Sequence, residues 1–196
     1  ITLQAINTLL LYVFFGTLFH HAQIRQGKQI ALCAGLLFCV SPYLSEVVVW
    51  ESSFHYLLAL LLMLGVLLST QQYLITGNIK QVWYAFTIFF LSSFSLELFY
   101  LTPVFVVTLV VYYRLSAGIN KSSILKTIGL FALPQLLVLA LHFGLLRAIY
   151  HTGIAHIGGD TLGFDVLNLS KPVKYLFHTL FMGRFYSTPL RNKIDR

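Results

Sequence analysis

Phe54-His55-Tyr56-Leu57-Leu58-Ala59-Leu60-Leu61-Leu62-Met63-Leu64-Gly65-Val66-Leu67-Leu68-Ser69-Thr70-Gln71-Gln72-Tyr73-Leu74 contains no Asp, Glu, Lys or Arg and is apolar for most of its length. A helix rises about 1.5 Å per residue, so about 18 such residues cross a hydrocarbon core roughly 30 Å thick. The stretch is long enough to do so, and Thr76-Gly77-Asn78 closes it with a turn signal. The rest of the chain has the same character. It is 58% hydrophobic and 10% charged, with a mean hydropathy of +0.81, far from the balance of a soluble domain. These values predict an all-α, polytopic integral membrane bundle.

Working outward, a first span is expected from about Leu3 to Phe19, ended by the polar stretch His20 to Gln29. A second runs from about Ile30 to Leu44, with Pro42 expected to break or kink it. After the quoted span, a fourth covers about Val82 to Phe94 and a fifth about Leu98 to Tyr113, with Pro103 near its start. A sixth runs from about Ile128 to Ile149 and is expected to kink at Pro134. The domain reading is a transmembrane helical domain over 1–150 with about six spans, an outer-face loop over 151–172, and the start of a further, truncated helix over 173–196.

Charge orients these spans, because short loops rich in Lys and Arg stay in the cytoplasm. Arg25 and Lys28 follow the first span, Lys80 the third, and Arg114, Lys121 and Lys126 the fifth; Glu46 and Glu51 follow the second and Glu97 the fourth. Basic loops are therefore expected inside and acidic loops outside, as in a multi-pass protein of a cell inner membrane or the endoplasmic reticulum membrane. The loop carrying His151, His156, Asp160 and Asp165 falls on the acidic side, and so does the N-terminus. A chain that opens at Ile1 directly on a span entering from outside is expected to be a fragment lacking an earlier span and outer loop.

The net charge of +7 follows the positive-inside bias. Its basic residues are scattered over loops and form no stripe with stacking aromatics, so nucleic acid is not an expected partner. Cys33 and Cys39 are six residues apart in an apolar span, which predicts two buried thiols with no disulfide and no metal site. No Gly-rich phosphate loop, HExxH, GxSxG or CxxC occurs.

What remains is a constellation on the acidic side. Ser41-Pro42-Tyr43-Leu44-Ser45-Glu46-Val47-Val48-Val49-Trp50 breaks a helix at Pro42, then sets Glu46 and Trp50 four residues apart, on one face if the segment is helical. Trp50 suits the interfacial belt. Glu51, Ser52, Ser53 and His55 follow at the mouth of the next span, and Ser95-Leu96-Glu97 precedes Pro103 in a second corner of the same kind. A carboxylate at a bilayer boundary is costly and marks a candidate site. Each residue also has a plainer role: Glu46, Glu51 and Glu97 as solvated acids ending spans, His55 in interfacial packing, His142 and Arg147 in helix-end interactions. The His151 to Asp165 groups read as a solvated loop, since their spacing matches no standard metal site.

A Pro, a Glu four residues later and a Trp four after that, running into a Leu-rich span, resembles the stretch after the third span of membrane glycosyltransferases of the GT-C fold. The pattern is similar to that of the protein O-mannosyltransferases and the related transferases that carry tetratricopeptide repeats. Ser95-Leu96-Glu97 with Pro103 resembles the family's Ser-Lys-Glu followed by an apolar stretch and Pro, and Asn7 with His20-His21 resembles its second span. The resemblance covers about Asn7 to Pro103. It departs from the family at Leu96, where Lys is usual, at Ser41, where His is frequent, and near Phe54 and His55, where an Arg is usual; His55, Arg147 and Arg184 are the cations left to replace them.

The resemblance implies a GT-C-like bundle that moves a sugar, with inversion, from a polyprenyl-phosphate donor to an acceptor at the outer face. An acidic residue acts as general base, and cationic groups or a divalent metal stabilise the departing phosphate. It places the principal base in a first outer loop, upstream of Ile1, and leaves Glu46, Trp50, His55 and Glu97 as substrate-binding residues. Two other readings stay open: a non-catalytic transporter or assembly subunit with polar groups lining a path through the bilayer, and a protein similar to O-antigen ligases or polymerases.

Overall fold

A computed structural model of the chain describes residues 2–40, 54–94, 97–118 and 120–150. The described residues are helical and turn, with no strand among them. In chain order they form α1 (Thr2–His21), α2 (Gly27–Cys39), α3 (Phe54–Thr76), α4 (Lys80–Ser92), a 3₁₀ turn (Glu97–Leu101), α5 (Thr102–Ser116) and α6 (Lys121–Tyr150). Four segments are long and apolar enough to cross a membrane: Thr2–His21, His55–Thr76, Phe99–Ser116 and Lys121–Leu145. They overlap the first, third, fifth and sixth expected spans, the last beginning at Lys121 where Ile128 was expected. α2 and α4 overlap the expected second and fourth spans but have 13 residues each, which at about 1.5 Å per residue is roughly 20 Å, short of a hydrocarbon core of about 30 Å.

Contacts between helices fix their directions. Asn7 of α1 bonds to Leu57 of α3, and Gln71 of α3 bonds to Phe14 of α1, so the two helices run parallel. Gln71 also meets Tyr113 near the end of α5, which makes α5 parallel to both. The partners run the other way. Gln4 reaches the Cys39 carbonyl while Gly27 lies against Phe19, so α2 is antiparallel to α1. Tyr73 packs on Phe131 and Tyr100 on His142, so α6 is antiparallel to α3 and α5. The turns after α1, α3 and α5 therefore share one end of the bundle, and with them Arg25, Lys28, Lys80, Arg114, Lys121 and Lys126.

Two of these turns use the same chemistry. Gly77 and Gly118 hold φ of +68° and +65°, a left-handed conformation that ends a helix at little cost only for glycine. Asn78 Oδ1 then accepts from the Lys80 N–H at 3.0 Å, and Asn120 Oδ1 from the Ser122 N–H at 3.4 Å, opening α4 and α6. At the other end Pro103 sits in the first turn of α5, where its missing N–H costs nothing. Pro134 lies inside the continuous 30-residue α6, where its ring removes the donor that the Leu130 carbonyl would otherwise accept from.

α3 is the central helix: it packs on α1, α4, α5 and the 3₁₀ turn. The core joins Val66 and Leu67 of α3 to Ala85 and Phe89 of α4, Phe99, Val106, Leu109 and Tyr113 of the following segment, and Phe131 and Val138 of α6. α2 is held differently. Its buried residues are Gly27, Ala31 and Gly35, every fourth position, the small-residue seam that lets two membrane helices approach closely. A Cβ on Gly27 would lie 2.6 Å from the Phe19 Cβ, whereas one on Gly35 would meet Thr8 at an ordinary 3.6 Å. That seam corrects the expectation for the cysteines. Cys33 and Cys39 are free and exposed, because the small residues claim the inner face of α2 and turn the thiols outward.

Candidate functional site

The end opposite the basic turns is where α3 and α5 begin, and it holds the sequence candidates that fall within the described residues. His55 is in the first turn of α3 and Glu97 is the first residue of the 3₁₀ turn. The contact of that turn with α3, and the parallel course of α3 and α5, set both backbones at this end. His55 is half-buried, its ring 4.5 Å from that of Tyr56. Glu46, Trp50 and Glu51 lie outside the described residues, as do Pro42, Arg184 and the whole of 151–196.

Two side chains that the sequence reading did not join complete the end. Tyr100 of the 3₁₀ turn and His142 of α6 bring Oη and Nε2 to 3.2 Å. Phe99 makes T-shaped contacts with the His142 ring at 5.2 Å and with Phe89 at 5.8 Å, so the turn is wedged between α4 and α6. His142 therefore has a partner on another element, where a helix-end role was expected. The signal for this pair was weak in sequence, since both residues border apolar runs.

Just inside this end, Asn7 is fully buried and its Nδ2 donates to the carbonyl of Leu57, two residues after His55, at 2.9 Å. Asn7 Oδ1 and the Thr102 hydroxyl are buried without a hydrogen-bond partner among the described residues. A second polar cluster lies toward the basic end. Gln71 Nε2 donates to Tyr113 Oη at 2.6 Å and to the Phe14 carbonyl at 3.3 Å, and His21 stacks on Tyr113 at 4.1 Å. Amides buried in an apolar bundle must be bonded or carry a desolvation cost, so these bonds define which faces of α1, α3 and α5 meet.

Chemically, the first end offers imidazole and phenol groups, a setting for proton transfer or for hydrogen-bonding a polar ligand. Among the described residues no three His, Cys, Asp or Glu side chains come together to hold a metal ion. Compared with known proteins, the chain matches no protein-family model, no curated protein and no solved structure.

Proposed function

We propose that this chain is the helical body of a membrane glycosyltransferase that takes a sugar from a polyprenyl-phosphate donor and passes it to an acceptor at the membrane face where α3 and α5 begin. The observation that carries the reading is the common end of His55 and Glu97, away from the Lys and Arg turns. The resemblance of the Pro42-Glu46-Trp50 and Glu97-Pro103 corners to the GT-C transferases supplies the chemistry. In such a transfer the acceptor oxygen attacks the anomeric carbon while a carboxylate takes its proton. The bond from that carbon to the carrier phosphate breaks, and the phosphate leaves with the electron pair. Glu46, Trp50, His55 and Glu97 bind and orient the donor and acceptor in this scheme. By the positive-inside bias, the reactive face is extracytoplasmic or lumenal.

The test is sugar transfer from a polyprenyl-phosphate donor by the full-length protein and by E46Q and E97Q made separately. Loss of positioning is expected to lower transfer by about ten- to a hundredfold in each. Unchanged transfer in both variants removes the two glutamates from the site, and no transfer by the parent protein removes the reading.

A further inference from the structure

α1 and α5 each pack on α3, and between them lies a groove of about 460 Å³. Leu11 to Leu18 form one wall, Phe105 to Tyr112 the other, and Leu64 and Leu67 contribute to the floor. Phe105 and Tyr112 are 46% and 37% exposed, so the groove opens sideways, toward lipid in a membrane.

We infer that this groove holds one acyl chain of an anionic glycerophospholipid drawn from the leaflet at the basic end of the bundle. Length supports the assignment. Ten residues separate Leu11 from His21 at the end of α1, and eleven separate Phe105 from Ser116 at the end of α5. At about 1.5 Å per residue each wall is about 10 Å long and its far end lies roughly 15 Å from the end of its helix, half of a hydrocarbon core about 30 Å thick. With the helix ends set at the hydrocarbon boundary, the groove reaches the midplane, the depth that one leaflet's chain reaches. Its lower limit is marked by Tyr112, an amphipathic ring of the kind that sits at headgroup level, with the His21 ring 6.4 Å away.

Charge selects the headgroup. The α1 wall leads into the turn carrying Arg25 and Lys28, both exposed, and the α5 wall ends at Arg114, before Lys121. Glu97, the one acidic residue among those described, begins the segment at the opposite end. A phosphate diester with a net negative charge meets the cations that follow both wall helices at this end of the bundle, whereas a zwitterionic headgroup brings its own ammonium among them.

The test is native mass spectrometry of the full chain released from detergent after incubation with palmitoyl-oleoyl phosphatidylglycerol or palmitoyl-oleoyl phosphatidylcholine. The expected result is retention of one phosphatidylglycerol per chain, about tenfold over phosphatidylcholine. Leu11→Trp with Phe105→Trp fills the groove and should abolish retention. Arg25→Gln with Lys28→Gln changes only exposed turn residues and should bring the two lipids to parity without changing the melting temperature. Equal retention of both lipids by the parent chain overturns the inference, as does an undiminished phosphatidylglycerol preference in the Gln pair. Displacement of phosphatidylglycerol by undecaprenyl phosphate also overturns it, by assigning the groove to an isoprenoid chain.

Discussion

Gln71 and Tyr113, 42 residues apart on parallel helices, are joined by a hydrogen bond of 2.6 Å from Nε2 to Oη, and the same amide reaches the Phe14 carbonyl. One side chain thus locks α1, α3 and α5 together at a single level. In a membrane, lipid tails are as apolar as leucine, so burial alone would not distinguish this arrangement from a rotated one, and such polar pins carry much of the specificity.

Tyr113→Phe should lower stability by about 0.6 kcal/mol, with about 1.7 as the upper end for interhelical bonds of this kind. Gln71→Leu should cost more, since two bonds are lost. A double-mutant cycle on detergent-solubilised protein, followed by helix loss on unfolding, measures the coupling; additive effects would mean that the bond contributes nothing.

The α1–α2 crossing makes a sharper prediction because two glycines of one seam differ. Gly27→Ala drives a methyl to 2.6 Å from Phe19 and should destabilise by about 1–3 kcal/mol, the usual cost of overpacking. Gly35→Ala meets Thr8 at 3.6 Å and should be within about 0.5 kcal/mol of the parent. Melting temperatures of the two variants in the same detergent provide the comparison, and equal shifts would contradict the close approach at Gly27.

Cys33 and Cys39 are exposed on the outer face of α2. Both should react with a small maleimide in folded, detergent-solubilised protein at rates close to those after denaturation. Labelling that appears only on unfolding would restore the buried thiols expected from sequence.

The common end of the three turns is open to accessibility mapping. With both native cysteines replaced, Gln26→Cys, Ile79→Cys and Ala117→Cys should all be labelled by a membrane-impermeant maleimide from the same side of sealed vesicles. One position labelled from the opposite side would break the parallel arrangement of α1, α3 and α5.

Removal of the Tyr100 to His142 contact by Tyr100→Phe should cost about 0.5–1.5 kcal/mol. The loosening should be concentrated in the 3₁₀ turn, which hydrogen exchange at the backbone of Phe99 to Leu101 reads directly. Exchange unchanged there would mean that Phe99, wedged between Phe89 and His142, holds the turn alone.

Hydropathy is a property of the local chain, so the sequence by itself determined the helical class, the positions of the long apolar segments and the basic residues that follow the first, third and fifth of them. Turn chemistry at Gly77 was legible for the same reason. Tertiary structure alone decided which helix faces meet. A soluble helix advertises its inner face by an apolar stripe, but in α3 and α6 leucines cover both the core and the lipid side, and no stripe separates Gln71, Gln135 or His142 from their neighbours in sequence. The inward turn of Gly27, Ala31 and Gly35, which sent the cysteines outward, and the pairing of Tyr100 with His142 across 42 residues both depend on close approach between helices. Close approach is set by packing and buried polar bonds, and these act between residues that the linear order keeps apart.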